Sequence, residues 1–91
     1  RVDLLLFYQE SLMNIIRHSG ATRVHTRLSA VDGQISLTVS DNGRGLSGGV
    51  PASLKRRARL LNGEICAGAA GSSSGTCIML RIERRWFGFL L

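Results

Sequence analysis

Two alternating stretches joined by Asp32-Gly33 constrain this chain more than any other feature. In residues 22–30, Val24, Thr26 and Leu28 fall on one side and Arg23, His25 and Arg27 on the other. In residues 34–40, Ile35, Leu37 and Val39 alternate with Ser36, Thr38 and Ser40. A period of two is that of a half-buried strand. Asp-Gly between two such runs is a strong signal for a two-residue hairpin, whose turn positions need positive φ. The two strands are therefore expected as antiparallel neighbours, and the remaining elements must cover one of their faces.

The rest of the chain supplies candidates for that cover. Leu5, Leu6, Leu12, Met13, Ile15 and Ile16 recur at helical spacing and predict a helix over residues 3–18. Ser19-Gly20 ends it, with Gly20 suited to a left-handed cap. Residues 41–52 form a glycine-rich loop that closes near the one proline, Pro51. Such a loop is long enough to suggest function rather than mere connection. Ser53 is the expected N-cap of a short helix over 54–62, closed by Asn62-Gly63. A short strand is expected over 64–68 and a turn over 69–75. Residues 76–83 alternate again, with Ile78, Leu80 and Ile82 on one face. The order helix, strand, strand, loop, helix, strand, strand predicts an α+β fold. It is a two-layer sandwich with a mixed, mostly antiparallel sheet and helices on one face.

Composition narrows what such a domain does. The 91 residues suffice for one small domain. The net charge of +6 attracts anions, whether nucleotide phosphates, nucleic acid or an acidic surface. Part of it sits in Lys55-Arg56-Arg57 with Arg59, and in Arg81 with Arg84-Arg85; a solvated face is the ordinary reading of such runs. Nucleic acid is disfavoured. No base-reading motif is visible, and Phe7, Tyr8, Trp86, Phe87 and Phe89 lie at the two ends of the chain. The apolar clusters fall far short of the roughly 20 residues that cross a bilayer. Cys66 and Cys77 form no CxxC and have no histidine at zinc-like spacing, so reduced thiols are expected. The chain opens on Arg1 with no initiator Met and no signal pattern, and is read as a piece of something longer.

Three places carry candidate chemistry. Glu10, Asn14 and His18 stand at i, i+4 and i+8, on one face of the first helix. A carboxylate, an amide and an imidazole in line can orient water, hold a metal through the amide oxygen and touch a phosphate. Spacing alone favours the plainer reading, the polar side of an amphipathic helix. Asp41-Asn42-Gly43-Arg44-Gly45-Leu46 directly follows a strand. There Asp41 can accept a hydrogen bond from an exocyclic amine such as that of adenine, and the glycines allow a ring close to the backbone. Asp-Asn-Gly is also ordinary turn chemistry. Gly75-Thr76 opens the last strand and says little alone.

In this order the three carry more. QExxxNxxRHS, a hairpin, DNGRGL, a helix reading RRARLLNGE and then GTxxxL resemble the ATPase domain of sensor histidine kinases, within the wider group of gyrase, heat-shock chaperone and mismatch-repair ATPases. The likeness covers about residues 8 to 82 and is strongest to the nitrate/nitrite sensors and the membrane-fluidity sensor. It implies an ATP-binding domain with Mg²⁺ as cofactor. Glu10 matches the acid that acts as general base or positions the attacking group. Asn14 matches the Mg²⁺ ligand, and Arg17 and His18 match basic positions near the phosphates. Asp41 matches the aspartate that recognises the adenine amine, supported by Thr76. Gly43 and Gly45 match glycines against which the purine lies, and Gly48 corresponds to the first glycine of the lid, which would run from Ser47 to Ala52.

Some features depart from the family pattern. Val50 and Ser53 stand where the lid's further glycines are expected, which puts backbone contacts to the phosphates in doubt. The strand and helix that precede the first motif are read as missing, and so is the acceptor histidine, because His18 belongs to the motif and His25 to a strand. Residues 1–83 are accordingly assigned to the ATP-binding domain and 84–91 to an apolar tail, which packs on the sheet or a subunit contact or lies at a membrane interface. The resemblance further implies a histidine-bearing dimerisation domain and a response regulator as partners, and a cytoplasmic location in a membrane-associated, homodimeric parent. An alternative is a degenerate nucleotide site that serves as an interaction module.

Overall fold

The computed structural model describes residues 3–45, 49–69 and 75–83; Gly48 and the tail over 84–91 lie outside the described residues. Six elements follow in order: α1 Asp3–His18, β1 Val24–Val31, β2 Gln34–Asp41, α2 Ala52–Leu60, β3 Glu64–Ala69 and β4 Thr76–Glu83. The four strands make one sheet of order β1-β2-β4-β3. Every described pairing in it is antiparallel. The α+β class with helices on one face is as expected, and the mixed sheet is wholly antiparallel here.

The hairpin forms as its turn chemistry dictates. Asp32 and Gly33 take φ of 51° and 77°, the left-handed conformation at both turn positions that matches the twist of the flanking strands. That turn sets the register, placing Leu28 opposite Leu37 and Val24 opposite Asp41. β2 and β4 form the centre of the sheet. Ile35 pairs with Ile82, Leu37 with Leu80 and Val39 with Ile78, and all six are buried. Phe7 from α1 and Leu54 and Ala58 from α2 pack onto this ladder with Leu61.

Three local expectations need correction. The packing face of α1 is centred on Phe7 and Ser11, both buried, with Leu4, Tyr8, Leu12 and Ile15 partly so. Leu5, Met13 and Ile16 of the expected stripe are exposed. Apolar residues run around most of this helix, so spacing alone did not single out the inner face. β1 is not half-buried: Val24 and Leu28 share the helix-side face with Val39 and Leu37, yet stay 44% and 58% exposed. β1 is an edge strand, and α1 reaches it through Tyr8, whose hydroxyl lies 3.1 Å from Thr26 Oγ1. Finally, α2 starts two residues earlier than expected, behind Pro51, and no side chain caps it. Proline's fixed φ suits a helix entry, and its carbonyl accepts from Leu54 N and Lys55 N at 3.1 Å each. Ser53 therefore lies inside the helix, not at its cap. The far end behaves as expected: Asn62 takes φ of 57°, which lets Gly63 N donate to Ala58 O at 2.9 Å.

The buried ladder and the open edge should respond differently to truncation. Leu80, wholly buried, loses about 2–5 kcal/mol on change to Ala. Leu28→Ala should cost under about 1 kcal/mol. Urea unfolding of the two variants measures the contrast; equal losses would contradict the edge assignment.

Candidate functional site

The central ladder ends in a polar rung. After three apolar pairs, Asp41 stands opposite Thr76 on the same face, at 8% and 5% exposure. Strand alternation keeps both side chains on the helix side, just where the apolar core stops. Beyond them opens a cavity of about 310 Å³, at the small end of the range for ligand pockets. Its walls include Ile15, Leu54 and Ile78, while Asn14, His18, Asp41 and Thr76 contribute polar groups.

Asp41 is held from its own loop. Gly43 N donates to Oδ1 at 2.7 Å, an Asx turn that fixes the carboxylate and leaves Oδ2 for a ligand. The next residue, Asn42, staples the loop to the start of β1. Its Oδ1 accepts from Thr22 N and Arg23 N at 2.9 Å each, and its Nδ2 donates to Thr22 Oγ1 at 2.9 Å. Arg44 ties the loop to the end of α1, donating from N to Ser19 O and from its guanidinium to His18 O, both at 2.9 Å. The aspartate and the helix therefore have fixed positions relative to each other before any ligand arrives.

Gly43 serves a different purpose from the one expected. It is buried but does not line the cavity. A Cβ there would meet the backbone oxygen of Ser19 and come within 2.6 Å of Ser19 Cβ, so this glycine lets the loop lie on the end of α1. Gly45 does line the cavity, at φ of 87°.

On α1, Asn14 Nδ2 donates to Glu10 O at 2.9 Å and reaches Glu10 Oε2 at 3.4 Å. Its amide orientation follows from these partners, and Oδ1 remains available to a cation. Ser53 Oγ, from α2, donates to the same Glu10 oxygen at 3.2 Å.

Of the residues expected from sequence, Asn14, His18, Asp41, Gly45 and Thr76 converge on one cavity. Glu10 stands behind Asn14, in contact through hydrogen bonds rather than in the lining. Arg17 is exposed and does not line the cavity. Several contributors went unforeseen. Ser11 and Ser19 line the cavity, and the staple role of Asn42 was hidden in an ordinary turn motif; Gly49 and Pro51, which also line it, fall within the segment expected as the lid. Ser11 had a signal, since it sits within one turn of both Asn14 and Ile15.

The loop's fixation gives a direct test. Gly43→Ala should lower stability by about 1–3 kcal/mol through overpacking against Ser19, visible as a reduced Tm. Asn42→Ala, which removes three hydrogen bonds, should lose a comparable amount. An unchanged Tm in both would contradict the loop-to-helix contact.

The structure is similar to the ATP-binding domain of PrrB from Mycobacterium tuberculosis. The TM-score is 0.71 at 20% identity, over 90% of this chain and 67% of that one. No protein-family model matches the chain, and no curated protein does. At this identity the likeness is one of fold: a four-stranded antiparallel sheet with two helices among the described residues.

Proposed function

We propose that this chain is the ATP-binding catalytic domain of a sensor histidine kinase. It holds Mg-ATP so that the γ-phosphoryl group passes to an acceptor histidine in a separate dimerisation domain, and onward to a response regulator. One observation supports this above the rest. Residues from three distant stretches, Asn14 with His18, Asp41 with Gly45, and Thr76, meet at one cavity.

The residues suit the parts of a nucleotide. Ile15, Leu54 and Ile78 offer apolar walls to a purine ring. Asp41, with one oxygen held by Gly43 N, accepts from the adenine amine with the other, and Thr76 stands beside it. His18 lies one turn beyond Asn14 and meets phosphate oxygens, with Arg17 on the exposed side adding positive charge. Asn14 fits Mg²⁺, because its amide nitrogen is committed to Glu10 and its oxygen is left over. Mg²⁺ in such sites takes one or two protein oxygens and completes its shell with phosphates and waters. Among the described residues, no group of three His, Cys, Asp or Glu could cage a metal alone. When bound, Mg²⁺ neutralises charge on the phosphates. Glu10 orients the attacking imidazole and accepts its ring proton as the N–P bond forms and ADP leaves. Positioning and electrostatics supply most of the catalysis.

The finer reading places the parent protein with the nitrate/nitrite-type sensors, as a membrane-associated homodimer with this domain in the cytoplasm. Among the described residues no helix is long and apolar enough to cross a membrane. A second reading, a degenerate site retained as an interaction module, draws support from Val50 and Ser53 standing where lid glycines are expected. Transfer of label from γ-phosphate to the full-length protein separates the two.

Calorimetric titration should show saturable ATP binding that Mg²⁺ strengthens. Asn14→Ala should abolish the Mg²⁺ enhancement with the fold intact; unchanged Mg-ATP affinity would remove the metal assignment. Asp41→Asn should weaken ATP by 10-fold or more, given about 1.5–3 kcal/mol for a charge-assisted hydrogen bond. Equal weakening of GTP would argue against the adenine contact.

A further inference from the structure

We infer that Ser53 is a positioning residue for the Glu10 carboxylate, and that this contact latches the start of α2 to α1 beside the cavity; the inference rests on the nucleotide reading above. Ser53 and Glu10 are 43 residues apart, and the serine hydroxyl donates to Glu10 Oε2 at 3.2 Å. Asn14 Nδ2 reaches the same oxygen at 3.4 Å. Two donors on Oε2 fix the carboxylate's rotation. Oε1 has no hydrogen bond among the described residues. Without Ser53, the half-buried carboxylate would be held by one long contact.

The start of α2 explains why the serine reaches outward. Pro51 precedes the helix, no side chain caps it, and its first turn contains no acidic residue. A helix N-terminus carries partial positive charge and unpaired N–H groups. Glu10 brings a negative charge to this end from another element. The carboxylate thus has two tasks, to complement α2 and to serve the site, and Ser53 joins them. Glycine at this position would leave both undone.

The test uses the whole chain as wild type, Ser53→Ala, Glu10→Ala, the double variant and Ser53→Thr. Calorimetry with ATP, with and without Mg²⁺, gives the first readout. Ser53→Ala should weaken Mg-ATP about 5-fold, the size of one modest hydrogen bond, because the loosened carboxylate no longer steadies the Asn14 amide, whose oxygen takes Mg²⁺ in the reading above. It should leave Mg-free ATP unchanged and add nothing in the Glu10→Ala background, and Ser53→Thr should restore wild-type affinity. Equal weakening with and without Mg²⁺, or an additive double variant, would overturn the positioning role. Hydrogen exchange of the Leu54 and Lys55 amides without nucleotide gives the second. Ser53→Ala and Glu10→Ala should speed it by the same factor, and the double variant by no more; no change in either overturns the latch. A wild type that binds no Mg-ATP but keeps the exchange coupling would remove the nucleotide reading, and the positioning role with it, and leave only the latch.

Discussion

The pairing register of β2 with β4 is the constraint on which everything else depends. Side chains in a strand alternate faces, so one slip in register would turn the whole apolar set outward. Four rungs are held in line by this pairing, three apolar and one polar. The apolar rungs give Phe7, Leu54 and Ala58 a surface to pack on. The polar rung, Asp41 with Thr76, inherits its position from them. Core and site share one ladder, and the placement of the aspartate needs no separate device.

The helices complete the site from the other side. α1 is packed through Phe7 and Ser11, which brings Asn14 and His18 to the cavity one and two turns further along. Its end is fixed by a loop that wraps it. Ser19 touches Gly43, and Arg44 donates to the carbonyls of His18, the last residue of α1, and of Ser19, which follows it. Such preorganisation matters where a ligand must find several polar groups at set distances. α2 packs in through Leu54 and Ala58 and, among the described residues, makes one side-chain hydrogen bond to α1, from Ser53.

Much of this was legible in the sequence, for physical reasons that differ by element. The β1–β2 hairpin was readable because Asp32-Gly33 admits few backbone conformations. β2 and β4 were readable because they are central and alternate without exception. β1 was read correctly as a strand and incorrectly as half-buried, because alternation reports facing and not whether anything covers the face. The inner face of α1 was obscured by its surplus of apolar residues. Asp41, Asn14 and Thr76 could be assigned only together, through an ordered resemblance; each alone fits turn, helix or strand chemistry. The bond from Ser53 to Glu10 spans 43 residues and leaves no local trace, so a capping role was the natural but mistaken expectation.

The hairpin turn has a practical consequence. In the β1–β2 register, Val31 and Gln34 flank the turn while Val24 and Asp41 sit at the other end. Seven residue steps at about 3.4 Å put roughly 24 Å between the turn and the polar rung. Asp32 and Gly33 are exposed, and nothing lies within 4 Å of a Cβ built on Gly33. A fluorophore, affinity tag or inserted peptide grafted there would sit at the far end of the hairpin, leaving the cavity's surroundings as they are. The opposite end of the same two strands, where Asp41 and Thr76 border the cavity, has no such freedom.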